Sequence, residues 1–165
     1  MPTTLCDLAT KLPLLIGRLL DREAKLKRGR FREETMTDIL TGALAAFAGA
    51  NLVIQYPIEV ETGSDLDLRF WHVANGCDFH VRIQAKRLNA ANDGTRPVKI
   101  AHRLYHELLH KPSTAEDYQF RMLRDAPAPW IPLYMFYNHQ AVVLDPYLTG
   151  AKPTVGAINL AFADD

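Results

Sequence analysis

Only two cysteines occur, Cys6 and Cys77, too far apart for a CxxC pair or any metal-type spacing. A disulfide framework is therefore not expected, the setting reads as reducing and cytoplasmic, and both thiols read as small core residues. No apolar run approaches the ~20 residues of a membrane-spanning helix. Asp7 and Lys11 interrupt the N-terminal apolar stretch, so a signal-peptide shape is lacking as well. Formal net charge is +0, which argues against a non-specific polycation. Internal repeats and low-complexity tracts are missing too. What remains is a chain of 165 residues, 48% hydrophobic and 23% charged. That suits one domain large enough to bury its own core.

The neutral total hides local asymmetry. Arg18, Arg22, Lys25, Lys27, Arg28, Arg30 and Arg32 face only Asp21 and Glu23, and a second basic group runs through Lys86, Arg87, Arg96, Lys99 and Arg103. Basic patches on a neutral chain suit an enzyme that grips phosphate on one side. The first patch reads equally well as a solvated helix face.

Helical periodicity runs from Leu5 to Leu26, with Leu8, Leu12, Leu15, Ile16, Leu19 and Leu20 as the stripe, and Pro13 as a point where two shorter helices are an alternative. A second helix is expected over Glu33 to Ala48. Leu52 to Val60 reads as a strand with Pro57 at an edge or bulge. Residues 89–97 read as loop, Val98 to His110 as helix, and Ser113 to Glu116 as a capping box opening a helix to about Arg124. Trp130 to Tyr137 is a near-continuous apolar strand, and Ala141 to Leu144 a short further one. The expected fold class is α/β: an α-β-β-β-α-β core with a mixed central sheet flanked by helices. The boundaries read as a single domain with its core at about 33–144, a helical N-terminal extension over 1–32 and an irregular tail over 145–165. A tail of that kind is compatible with a fragment, or with a partner that completes the surface.

The most informative stretch is a hairpin, Thr62 to Trp71 and Asp78 to Arg87, joined at Asn75-Gly76. Asp65 and Asp67 lie on its first strand, Gln84 and Lys86 near the end of its second. Residues two apart share a face, so antiparallel pairing can bring a carboxylate and an amine together. Ordinary edge protection is the competing reading for Gln84 and Lys86, and a turn role for Asp65.

Glu34-Thr-Met-Thr-Asp38, Gly63-Ser-Asp-Leu-Asp67, Gln84-Ala-Lys-Arg87 and Phe136-Tyr-Asn138 occur in that order. Together they resemble the PD-(D/E)xK nuclease superfamily, and within it a bacterial family of unknown function; the likeness spans about residues 33 to 138. It implies a restriction-endonuclease-like fold and a nuclease cutting phosphodiester bonds, expected in DNA since no RNA-type aromatic platform is visible. It implies Asp65, Gln84, Lys86 and Glu34 as catalytic residues. Mg²⁺ or Mn²⁺ would be held by Asp65, Glu34, the Gln84 amide oxygen and the Ala85 carbonyl. Lys86 would orient or deprotonate the attacking water. Arg87, Lys99, Arg103, Arg28 and Arg30 are the expected nucleic-acid contacts. Glu33 competes with Glu34, Asp67 reads as supporting, and Gln119 as packing at the core rim, with a contact to the phosphate or to Lys86 as the alternative. A homodimer or a protein partner is compatible with the likeness; a membrane is not expected.

Gln84 departs from the superfamily pattern, which has Asp or Glu two positions before the lysine. Loss of that charge weakens metal binding and leaves an inactive nucleic-acid- or protein-binding module as the alternative. A lesser alternative is His106-Glu-Leu-Leu-His110, which fits the HExxH pattern of zinc proteases, with Glu107 as general base. Pro112 ends that helix, and no further ligand motif follows.

Overall fold

Alternation along the hairpin decides the layering. Leu66, Leu68, Val81, Ile83 and Ala85 are buried, and in the interleaved positions stand Asp67, Arg82, Gln84 and Lys86. One sheet face is thus apolar and the other carries the charged and amide groups. A computed structural model describes residues 4–23, 31–47, 52–72, 74–88, 110–138 and 157–164. Its elements are α1 (Leu5–Glu23), α2 (Glu33–Phe47), β1 (Leu52–Gln55), α3 (Glu59–Thr62), β2 (Leu66–His72), β3 (Cys77–Leu88), α4 (Gln119–Arg124), β4 (Trp130–Asn138) and β5 (Ala157–Phe162).

The strands form one sheet in the order β1-β2-β3-β4-β5, with β3 and β4 parallel and the other neighbours antiparallel. This is an α/β fold with a mixed sheet and flanking helices. The apolar face packs against α1 and α2: Leu8, Leu12, Ile16, Leu20 and Met36 share one cluster with Leu66, Ile83, Met135 and Tyr137. Each such buried aliphatic side chain is worth roughly 1.5–3 kcal/mol relative to exposure. Among the described residues, no helix is long and apolar enough to cross a membrane.

Several expectations need correcting. The N-terminal helix is no extension, because its Leu8–Leu12–Ile16–Leu20 stripe is part of the main core, and α1 runs unbroken through Pro13. Packing on both sides of the proline outweighs the one backbone bond it removes. The tail is not irregular throughout: residues 157–162 form β5, antiparallel to β4 from Asn138↔Ala157 to Leu133↔Phe162. The strand read over Leu52 to Val60 stops at Gln55, which pairs with Asp67; past Pro57, which lacks an N–H, the chain makes the single turn α3. The capping box does not form: α4 begins only at Gln119, with Tyr118 as its cap and no side-chain cap bond. Cys6 and Cys77 are free and exposed rather than core residues, since Cys77 opens β3 at the hairpin tip and Cys6 lies off the buried stripe of α1. The expected loop 89–97, helix 98–110 and strand 141–144 lie, apart from His110, outside the described residues.

Gly63 locks α3 onto α4. It caps α3 at φ 68, donating its N–H to the Glu59 carbonyl at 2.8 Å. A Cβ there would lie 2.4 Å from the Gln119 carbonyl oxygen and 3.0 Å from the Leu123 nitrogen. Gly63→Ala is therefore expected to lose roughly 1–2 kcal/mol from the left-handed backbone alone, and more from pushing α4 away. Urea unfolding of the variant measures the loss; a stability equal to wild type would contradict it.

Candidate active site

Antiparallel register carries Asp65 to the partner strand. Leu66 pairs with Ile83, and the Asp65 N–H donates to the Ile83 carbonyl at 2.9 Å, so the Asp65 side chain lies beside Gln84 and Ala85. Its Oδ2 accepts from the Ala85 N–H at 2.8 Å and from Gln84 Nε2 at 2.5 Å. Ser64 and Gly63, both buried, lead into this position, and the Ser64 hydroxyl bonds Thr62 Oγ1 at 2.9 Å. Lys86 follows two residues after Gln84 on the same face. Its Nζ donates to Gln119 Oε1 at 3.4 Å and lies 3.7 Å from Glu33 Oε1.

The first turn of α2 closes one side. Glu33, rather than Glu34, meets the lysine, and its other oxygen accepts from the Arg87 N–H at 2.8 Å. Glu34 is exposed and reaches Asp65 only through its charge. The Arg87 guanidinium donates to the Phe31 carbonyl, tying down the chain that enters α2. Arg28, Arg30, Lys99 and Arg103 lie outside the described residues, as do His106 to Leu109 of the HExxH pattern; His110 is exposed.

Asp67 is committed elsewhere. It forms a two-pronged pair with Arg82, 3.0 Å to Nε and 2.8 Å to Nη2, and the guanidinium lies 4.6 Å from the Trp130 ring centre. Tyr137 is fully buried in the core, its hydroxyl 3.2 Å from Thr37 Oγ1, and burial raises its phenol above the usual range. Asn138, also fully buried at the end of β4, has no hydrogen-bond partner for either amide atom among the described residues.

Burial pushes the Asp65 carboxyl up from 3.8 to about 6, with Glu59 and Glu34 adding to the rise, against the Ala85 N–H and the Lys86 charge. The folded protein thus binds this proton more tightly than the unfolded chain does. The stability that Asp65 contributes is complete below 3.8 and is lost as pH rises through about 6. At neutral pH the ionised group is a cost to the fold. Asp65→Asn removes that cost, because the Asn oxygen can accept both bonds now made to Oδ2. The variant is expected to melt higher than wild type at pH 7 in EDTA, with the difference shrinking to nothing as pH falls below 3.8. Differential scanning fluorimetry across pH reads this, and equal melting at pH 7 would count against it.

The donor set at Asp65 suits a hard divalent cation. Gln84 is almost wholly buried, yet among the described residues its Oε1 has no hydrogen-bond partner. Half a turn of the amide exchanges Oε1 and Nε2, and facing two oxygens toward each other is favourable only with a cation or a proton between them. Among the described residues no three His, Cys, Asp or Glu side chains converge as metal ligands. A cation here would thus depend on amide and carbonyl oxygens beside Asp65.

Glu59 carries no sequence signal, for it lies in a stretch that reads as strand. Its carboxylate nevertheless accepts from Gln119 Nε2. Gln119 itself joins Lys86, the alternative to packing at the rim. A family model described as "Family of unknown function (DUF6615)" matches residues 5–159. No curated protein matches the chain.

Proposed function

The chain belongs to that family, and we propose that it is a metal-dependent nuclease that hydrolyses phosphodiester bonds in DNA. One observation carries the reading: a desolvated carboxylate, an orphaned amide oxygen and a buried ammonium meet at one end of β2 and β3. A purely structural sheet face has little reason to hold an unpartnered amide oxygen beside a carboxylate that burial disfavours.

Asp65, Gln84 Oε1 and the Ala85 carbonyl would hold Mg²⁺ or Mn²⁺, with Glu34 adding its charge from α2. The cation, when bound, offsets charge developing on the phosphate and lowers the pKa of a water. The chain's own work is positional and electrostatic. Lys86 would orient the attacking water or donate to a phosphate oxygen, and its charge would stabilise the negative charge that builds up in the transition state. Glu33 and Gln119 hold its Nζ from two sides, which cuts the entropy lost in reaching the reactive geometry. Asp65 must be ionised to bind the cation, so cleavage is expected to fall off on the acid side.

Supercoiled plasmid, linear DNA and RNA incubated with the chain in Mg²⁺, Mn²⁺ or EDTA test the reading. Metal-dependent nicking of DNA that is lost in Asp65→Asn supports it; undiminished cutting by Asp65→Asn, or preference for RNA, overturns the site or the substrate respectively. The second reading, an inactive binding module, draws on the Gln84 Nε2 bond that closes on Asp65. DNA binding with no cleavage in any metal would select it.

A further inference from the structure

We infer that Glu59 is a positioning residue for Lys86, acting through the side-chain amide of Gln119; its catalytic consequence rests on the nuclease reading above. Gln119 is 2% exposed, and both ends of its amide are in use. Nε2 donates to the Glu59 carboxylate, and Oε1 accepts from Lys86 Nζ at 3.4 Å. The two ends turn together about one bond. A carboxylate can only accept, so anchoring the NH₂ end on Glu59 commits the oxygen end to the ammonium. Without Glu59 the amide can reverse and present an N–H to Lys86, a donor facing a donor. The negative charge behind the NH₂ group also polarises the amide toward its oxygen, which strengthens the bond to the lysine.

The backbone is arranged for this contact. Glu59 opens the single turn α3, and Gln119 is the first residue of α4. Gly63, at the end of α3, lets the Gln119 carbonyl approach where a Cβ would clash at 2.4 Å. The other acidic neighbour of Nζ is Glu33, 3.7 Å away. With Glu59 absent, Lys86 is left to Glu33, which draws it toward α2. Glu59 also adds its charge at Asp65, but its carboxylate bonds only the amide among the described residues, so its effect on the lysine travels through Gln119.

Glu59 is exposed, so its truncation leaves the core intact and Glu59→Ala carries the test even if Gln119→Ala folds poorly. The full chain, Glu59→Ala, Glu59→Gln, Gln119→Ala and the Glu59→Ala/Gln119→Ala double variant are acylated with an amine-reactive ester in EDTA. Mass spectrometry follows modification of Lys86. Glu59→Ala is expected to raise the labelling rate about tenfold, the size of one charge-assisted hydrogen bond. Glu59→Gln, whose amide oxygen can still accept, raises it less. The double variant matches Gln119→Ala, because residues acting in one chain are not additive. In plasmid cleavage kcat falls in the same order, with KM changed by less than about twofold. Unchanged Lys86 labelling in Glu59→Ala overturns the inference, as does an additive double variant. If the wild-type chain cuts nothing, the nuclease reading falls, and the labelling series still decides whether Glu59 governs Lys86.

Discussion

Lys86→Ala is expected to lower the metal-dependent cleavage rate by about a thousandfold, the range for removing a positioned proton-transfer and charge-stabilising group. The ammonium lies in a place where water offers little compensation: Lys86 is 8% exposed, and its Nζ is held between Gln119 and Glu33. An alanine leaves the space without a donor, and no other described side chain bonded in the site carries an ammonium to replace it. Lys86→Arg is expected to fail nearly as badly, because a planar guanidinium cannot occupy the compact point between an amide oxygen and a carboxylate. Single-turnover nicking of plasmid measures the rate, and a far-UV circular dichroism melt checks that the variant is folded. A loss smaller than about tenfold in a folded variant would remove Lys86 from the chemistry.

Asp67→Asn is expected to cost roughly 3–5 kcal/mol of stability, the usual penalty for breaking a buried ion pair from one side. The side chains of Arg82 and Asp67 are 11% and 5% exposed. Both prongs of the guanidinium bond end on Asp67, while the face of the guanidinium is covered by Trp130. With the carboxylate neutralised, a charge that cannot turn to water stays in the sheet. Replacing both partners with apolar residues of similar volume, Asp67→Leu with Arg82→Met, is expected to recover most of that loss, since the stranded charge goes with its partner. Urea titrations of the three variants measure this. A single-variant loss under about 1 kcal/mol would mean the pair is solvated and behaves like a surface bridge. The contrast with Asp65 is informative: two carboxylates two residues apart have opposite effects on the fold, because both lose water but only Asp67 is bonded by a guanidinium, while Asp65 is bonded by an amide and a backbone N–H.

The hairpin was legible because its signals are local. Strand alternation from Leu66 onward, the Asn75-Gly76 turn and the two-residue spacing of Gln84 and Lys86 follow from backbone geometry that a sequence expresses directly, whereas Thr62 to Asp65, expected as strand, end α3 and lead into β2. The apolar run of β4 and the stripes of α1 and α2 were readable for the same reason. The expected capping box failed because Ser113 lies in a turn that precedes α4 by several residues, and a pattern of residue types carries no information about where the chain is forced to bend. β5 was not legible because Ala157-Ile-Asn-Leu-Ala-Phe162 has little strand character of its own; the open edge of β4 supplies the pairing.

The candidate site divides along the same line. Asp65, Gln84 and Lys86 could be named from the chain alone, since one register of one hairpin brings them together. The choice of Glu33 over Glu34 as the neighbour of Lys86 could not, because it depends on how α2 is rotated against β3. Glu59 and Gln119 meet only because α3 packs on α4 across Gly63, sixty residues apart in the chain. Periodicity and turn chemistry therefore determined the strands, the helices and the face that carries the site. Which acidic groups surround Lys86, and how far burial raises Asp65, was decided by tertiary packing, for both are set by distances between elements and by exclusion of water.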